Sequence, residues 1–324
     1  MIVTLTPNPS IDRSITVPDL RPGEVNRATD SRIDPGGKGI NVSRALAAQG
    51  STTTAVFPSG GPEGHLMEEL LTGASVPHAP VPVAGTLRMN VALLEPDGTT
   101  TKVNEPGPVL GPDDVEALLA TTLATYAVPP APGADPAARG WLVGCGSLPP
   151  GAPADLFAQL VRRGHEAGAL VAVDTSGAPL HPAVAAGPDL IKPNLEELEE
   201  LVGRRLPTLG DVRDAARSLV DGGVGTVVVS LGSDGALLVD ATSLVHAAAR
   251  VDAPLSTVGA GDCLLAGCLD ALSRGLPAAD VVSAGVRWGS AAVALPGSAV
   301  PTPDDLAHVQ AVLTLDPDLT RSLS

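Results

Sequence analysis

Aromatic residues are nearly absent from this 324-residue chain, which has two Phe, two Trp and one Tyr. Without aromatic faces there is no platform on which bases could stack, and a net charge of −16 repels polyanions, so nucleic acid is not an expected partner. Cysteine is as rare. Cys145, Cys263 and Cys268 are odd in number and lack CxxC spacing, which argues against a disulfide framework and leaves them as reduced core residues. The six histidines form no HxH or HxxxH pair, so no transition-metal site is expected. No apolar run approaches the roughly 20 residues of a membrane span. The opening MIVTLTPN has no basic segment ahead of an apolar one and reads as a first strand, not a signal peptide. The chain is expected to work in the cytoplasm without a membrane partner.

Lysine is the most telling shortage, with three against 17 arginines. Lys38, Lys102 and Lys192 lie in the turn-rich, non-helical-looking strings PGGKG, TTTKVNEP and IKPN, where a compact ammonium suits a phosphate. In an acidic protein this points to anion sites; chance placement is the alternative.

What is present is an alternation of β-branched apolar runs with alanine-rich amphipathic stretches, the pattern of βα units around a mainly parallel sheet. Core strands are expected at 2–6, 53–57, 140–143, 170–173, 190–191 and 226–230. Helices are expected at 39–49, 62–73, 112–125, 153–167, 194–202, 209–221, 260–274, 278–294 and 303–313, two of them with Pro-Asp-Asp starts, at 112 and 303. Residues 11–34 and 86–105 break the rhythm with short alternating strands and read as a small β-sheet lid on a single domain spanning 1–324. The Pro- and Ala-rich string 128–139 reads as a flexible insertion of no assigned function. The last eight or so residues are expected to fray.

Two glycine turns carry chemistry. In TVGAGD, residues 257–262, small residues precede a helical stretch. Free N–H groups and the positive dipole end of a helix favour anionic oxygens there. Asp262 beside those donors is placed to take a proton from an attacking hydroxyl while they stabilise charge on a transferred phosphoryl group. An ordinary turn with a helix-start acid is an equal reading of the string in isolation. In GGKGIN, residues 36–41, Lys38 and Asn41 stand about one helical turn apart and can share a ligand, such as a sugar phosphate; a plain loop is again the alternative. No GxxxxGK[ST] occurs and GAGDCL lacks the third glycine of GxGxxG, so neither a P-loop nor a dinucleotide fingerprint is present.

GGKGIN followed by TVGAGD resembles the two signature regions of the ribokinase-like carbohydrate kinases, in their phosphofructokinase B branch. TLTPNPSIDR (4–13), GSLPPG (146–151), DTSG (174–177), KPNLEEL (192–198) and SLGSDGA (230–236) extend the resemblance over nearly the whole chain. TPNPSIDR with KVNEPGP (102–108) looks most like 1-phosphofructokinases and tagatose-6-phosphate kinases. The resemblance implies a three-layer αβα fold with a β-sheet lid, and an ATP- and Mg2+-dependent kinase for a ketohexose phosphate. It implies Asp262 as the base and Gly259, Ala260 and Gly261 as an anion hole. Asp12, Gly37, Lys38 and Asn41 would hold the sugar, with Asp12 as a turn cap the alternative. Arg88 and Lys102 would hold its phosphate, with Arg27 better read as solvated. Lys192, Asn194, Ser230, Gly232 and Gly235 would line the nucleotide, and the N-x-x-E pair Asn194 and Glu197 would orient the metal's waters. A surface helix start rich in acids is the alternative for that pair. Two departures are Cys145, where Ser or Gly is usual, and Cys263, where a hydroxyl is usual; a thiol at a helix start is expected to have a lowered pKa and oxidative sensitivity. A homodimer through the lid is also expected.

Overall fold

The computed structural model describes residues 1–127 and 139–323. The insertion read at 128–139 therefore falls outside the described residues except for Arg139, whose guanidinium donates to the carbonyls of Gly168 and Ala169 at 3.0 and 2.9 Å.

The chain opens with β1 (Ile2–Leu5), β2 (Ser10–Thr16) and β3 (Asp30–Gly36), then α1 (Lys38–Ala48), β4 (Thr53–Ser59) and α2 (Gly61–Gly73). Strands β5 (His78–Pro82), β6 (Arg88–Leu94) and β7 (Thr100–Asn104) precede α3 (Pro112–Tyr126), β8 (Trp141–Cys145), α4 (Leu156–Glu166) and β9 (Leu170–Asp174). Next come α5 (Leu180–Ala185), β10 (Leu190–Ile191), α6 (Leu195–Val202), α7 (Leu209–Asp221), β11 (Thr226–Ser230), β12 (Ala236–Asp240) and β13 (Leu244–Ala248). Helices α8 (Ala260–Ser273), α9 (Ala278–Val293) and α10 (Pro303–Ala307) lead to β14 (Val312–Thr314).

Among the described residues, ten strands form one sheet in the order β14-β13-β12-β11-β10-β9-β8-β1-β4-β5, parallel from β11 to β5 and antiparallel from β11 to β14. Strands such as TVVVS and LVAVD are continuously apolar because both faces of the sheet are covered. Val227 and Val229 enter one core with α3, α4 and α7, whereas Val228 enters another with α1, α8 and α9. This is the three-layer αβα architecture expected from the sequence. A separate four-stranded sheet, order β3-β2-β6-β7, closes over a third apolar cluster that joins Ile11 to Ile40, Phe57, Met67 and Leu71.

Three local readings are corrected. The helix expected over 303–313 stops at Ala307. Its end carbonyls are taken by a side chain, since Arg287 donates to the oxygens of Leu306 and Val309 at 2.9 and 3.0 Å, and the chain then pairs with β13 as β14. The helix expected from 153 begins at Leu156, after a turn in which the Leu156 N–H bonds Pro153 O. The described terminal residues are pinned to α7 instead of fraying. Arg321 O and Leu319 O accept the N–H groups of Leu209 and Gly210 at 3.0 and 2.8 Å, and the Leu323 N–H reaches Pro207 O at 3.1 Å. The first N–H groups of a helix lack partners inside it, so the tail serves as the backbone cap of α7, with Leu319 and Leu323 packed on the core and Arg321 paired with Asp234.

Helix α1 is the element on which the site depends. Its Ser43 hydroxyl joins Thr4 at 2.8 Å and Thr53 at 3.0 Å inside the core, a buried chain that fixes the helix on β1 and β4. Gly39 lets it approach, because a Cβ there would overlap the Thr6 hydroxyl. Only Gly37, at φ 110°, separates β3 from α1, and few residues other than glycine adopt that angle.

Candidate active site

Gly259 sits in the left-handed region at φ 78° and turns the chain into α8, placing Asp262 in the helix's first turn. The Ala260 N–H bonds back to Thr257 O at 3.3 Å, which takes it out of the expected anion hole and leaves the N–H groups of Gly259, Gly261 and Asp262 as the turn's donors for an anion. Asp262 is 7% exposed and accepts a hydrogen bond at 2.9 Å from the Asn41 Nδ2 of α1. Burial, then the nearby carboxylate of Asp174, push its pKa up to about 6, against the pull of Asn41, Lys38 and Lys192. A carboxylate poised there is ionised at neutral pH yet basic enough to accept a proton from a hydroxyl as that hydroxyl attacks.

Two of the rare lysines converge on the same spot from different elements. Lys38 opens α1 and donates to Asp174 Oδ1 at 2.8 Å, with Glu197 Oε1 3.7 Å away. Lys192 follows β10, is 5% exposed, and stands 3.2 Å from Asp174 Oδ2. Its Nζ lies 3.4 Å from where a Cβ on Gly261 would sit, so it borders the glycine turn. Burial alone would depress the ammonium of Lys38, but Asp174 and Glu197 outweigh it and hold the pKa above the ordinary lysine value. Burial would likewise raise Asp174, but Lys192 and Lys38 hold it below the ordinary range. The cluster thus keeps the Lys38 ammonium charged and sets the Lys192 Nζ against the same carboxylate, beside the helix start.

Away from this cluster, the inner face of the small sheet borders a cavity of about 580 Å³ closed by residues 254–258 and 297–298. Asp12, Asp34, Asn90, Lys102 and Asn104 line it, all on one face because Asp12 pairs with Asp34 and Asn90, and Asn90 with Asn104. Asp12 accepts from the Ser10 hydroxyl at 2.7 Å and from Asn90 at 3.0 Å; burial raises its pKa against these two bonds. Gly36 passes so near that a Cβ would overlap this carboxylate. Arg88 shares the face, donates to Asn8 O at 3.3 Å, and does not border the cavity. Arg27 is exposed in the β2–β3 connection, apart from both groups.

On the far side, Asn194 and Glu197 cap α6 reciprocally: the Glu197 N–H donates to Asn194 Oδ1 at 2.7 Å and the Asn194 N–H to Glu197 Oε2 at 2.9 Å. The spacing that suggests metal is here a capping box, which leaves Glu197 Oε1 toward Lys38. No group of three or more His, Cys, Asp or Glu among the described residues could hold a metal ion alone. Ser230 bridges to Asn194, and the turn Gly232–Asp234 with Gly235 at φ 88° follows β11. A Cβ on Gly235 would overlap Ala247 O.

One chemical expectation is reversed. Cys263 does not carry a lowered pKa, because burial, then the Asp262 carboxylate, push its thiol up to about 12, and Cys145 and Cys268 are buried thiols too. The surroundings of one lysine differ from the sequence reading, because Lys38 begins a helix, whereas Lys102 lies within β7, on the strands expected for it. Three participants carry no role in the sequence reading: Asp174, Asn90 and Arg44. Asp174 is legible in principle, as an acid at the C-terminal end of a buried strand, where open α/β sheets receive ligands.

A buried carboxylate at a helix start, set beside two paired lysines and just after residues 254–258 that close a polar cavity, is the arrangement that phosphoryl transfer calls for. Residues 6–305 match the model of the pfkB family carbohydrate kinases. The chain is 37% identical over 315 residues to the 1-phosphofructokinase of Rhodobacter capsulatus, covering 97% of both chains. It is 35% identical over 316 residues to the ATP-dependent 6-phosphofructokinase isozyme 2 of Escherichia coli, covering 97% and 99%. The crystal structure of phosphofructokinase-2 from Escherichia coli in complex with substrates and products superposes with a TM-score of 0.86, at 35% identity over 94% and 97% of the chains. The fold is ribokinase-like. The chain belongs to the pfkB family of carbohydrate kinases and is an ATP-dependent sugar-phosphate kinase.

Proposed function

We propose that the chain transfers the γ-phosphoryl group of ATP to fructose 1-phosphate, giving fructose 1,6-bisphosphate and ADP in the cytoplasm. The observation that carries the transfer step is the buried Asp262, held by Asn41 at 2.9 Å at the first turn of α8. The acceptor hydroxyl gives its proton to Asp262 as its oxygen attacks phosphorus, the bond to the ADP oxygen breaks, and the N–H groups of Gly259, Gly261 and Asp262 with Lys192 balance the charge on the transferred group. Lys38 faces the same group. Asp12 and Asn90 bind sugar hydroxyls, Lys102, which lines the cavity where Arg88 does not, takes the existing phosphate, and Ser230, Gly232 and Gly235 line the nucleotide. Mg2+ suits a site with no protein cage, since it is usually held by substrate phosphates, waters and one or two carboxylates; Glu197 Oε1, unused by the capping box, is the available oxygen, and the ion would neutralise phosphate charge.

Fructose 1-phosphate is favoured by the name of the Rhodobacter relative, and the Escherichia coli relative keeps fructose 6-phosphate as a second reading, with tagatose 6-phosphate a third. A silent sugar-phosphate sensor would not need Asp262. Coupled ADP release should give kcat/KM at least about 10-fold higher for fructose 1-phosphate than for the two 6-phosphates, the scale of one lost charged contact; a clear win by either 6-phosphate rejects the assignment.

We also propose a homodimer through the small sheet, acting as a lid. Its outer face exposes Val103 at 58% and Ile33 at 39%, and its β3 and β7 edges are unpaired within the sheet, the kind of edge that another chain can extend. Light scattering should report twice the 32.4 kDa chain mass; a monomer at working concentration refutes it.

A further inference from the structure

The base's partner, Asn41, is itself held. Arg44, one turn further along α1 and 9% exposed, directs its Nη1 at three oxygens: Asn41 Oδ1 at 3.0 Å, Pro35 O at 3.1 Å and Ser298 O at 3.1 Å. Two hydrogens shared among three acceptors make these bonds bifurcated. The consequence for Asn41 is one of polarity. A side-chain amide can turn over and exchange its oxygen for its NH2, but an amide whose oxygen is claimed by a guanidinium has only its NH2 left to offer Asp262. Turned over, Asn41 would present an oxygen to a carboxylate.

We propose that Arg44 is a positioning residue for phosphoryl transfer, locking the Asn41 amide so that it donates to Asp262 and tying this arrangement to the end of β3 and to the Ser298 loop. The inference rests on Asp262 being the base. Pro35 closes the strand that pairs with β2, which carries Asp12, and Ser298 borders the sugar-side cavity. One buried cation therefore joins the cavity wall to the proton acceptor through Asn41. The charged groups around both ends are few. Asp34 and Asp12 attract Arg44 and Arg32 repels it, while Asp174, Lys38 and Lys192 act on Asp262. Cys263 lies between, with its thiol pushed up to about 12 by burial and so neutral.

The test is Arg44→Met, which keeps an unbranched apolar stem, with Arg44→Lys as the conservative variant. Misplacement of a reacting group by about 1 Å costs roughly 100-fold, so kcat of R44M should fall by about 10–100-fold, with the KM for ATP changed by less than about 3-fold. The acid limb of the kcat profile should move to higher pH, because Asp262 loses a donor that favours its ionised form. R44K, able to satisfy only part of the oxygen set, should recover part of the rate and part of the limb position. The double variant with Asn41→Ala should be no slower than N41A alone, since both changes break one chain. An unmoved acid limb in R44M, or multiplicative losses in the double variant, overturns the proposal. If R44M does not fold, the limb position in R44K decides in its place: a shift to higher pH supports the proposal and an unmoved limb overturns it. Asp262→Asn in the same series separates the two readings. Normal turnover there overturns the base and this proposal together, whereas an inactive D262N beside an unmoved R44M limb overturns Arg44 alone.

Discussion

Asp262→Asn is expected to lower kcat by roughly 10²–10⁴-fold, the usual contribution of a general base, with both KM values nearly unchanged because a base acts in the transition state. Steady-state kinetics with ADP release read this directly, and turnover within about 3-fold of wild type would remove Asp262 from the mechanism. As the proposed base, Asp262 acts in its ionised form, so wild-type kcat should be flat at neutral pH and fall tenfold per pH unit below about 6. The same substitution should stabilise the fold. Raising an acid from 3.8 to about 6 means the folded chain binds more protons than the unfolded one between those values, so stability declines as pH rises through that window. At about 1.4 kcal/mol per pH unit, keeping this carboxylate ionised costs up to about 3 kcal/mol at pH 7. Asn carries no such charge, and chemical denaturation should show D262N gaining part of that amount at pH 7 but not at pH 3.5. An enzyme that is slower and sturdier at once is the signature of a residue kept for chemistry.

Asp174→Ala should do the opposite to stability. Asp174 is fully buried between Lys38 Nζ at 2.8 Å and Lys192 Nζ at 3.2 Å, and removing one member of a buried ion pair leaves uncompensated charge at a cost of about 3–5 kcal/mol. The denaturation midpoint should fall accordingly. Because the folded-state pKa of Asp174 is depressed, its contribution is present above the unfolded value near 3.9 and is lost as pH falls through the folded one; the difference between wild type and D174A should shrink in strong acid. The acid limb of whatever activity survives should move to lower pH, since the carboxylate that raises Asp262 is gone while both ammonium groups remain. An unchanged midpoint would mean that the lysines are compensated by other groups.

How much of this is legible in the sequence depends on whether a residue's role is local. The βα alternation follows from runs such as TVVVS, whose side chains enter two cores, and Pro112 and Pro303 mark real helix starts. The end of α10 is hidden because it is set by Arg287, 19 and 22 residues away from the carbonyls it satisfies. The bound tail is hidden for the same reason, its partners being the N–H groups of α7. In the site, glycine turns and the scarcity of lysine point to Asp262, Lys38 and Lys192 because those features are written in short strings. Asp174 lies in DTSG, a string that carries family likeness but no chemistry of its own, and the 136-residue separation from Lys38 leaves no trace in spacing. Arg44 reads as one more charge in an alanine-rich helix. The expectation for Cys263 fails because the dipole at a helix start acts on exposed thiols, whereas this one is 1% exposed.

The single residue between β3 and α1 also limits how the protein can diversify. Connections with slack absorb insertions at little cost, and residues 17–29, which join β2 to β3, are such a place. Gly37 has no slack to give. One residue added there would rotate the start of α1 by about 100°, carrying Lys38, Asn41 and Arg44 away from their partners in one stroke. In this chain, added length therefore belongs at the outer tip of the small sheet, while the joint beneath it must keep its count.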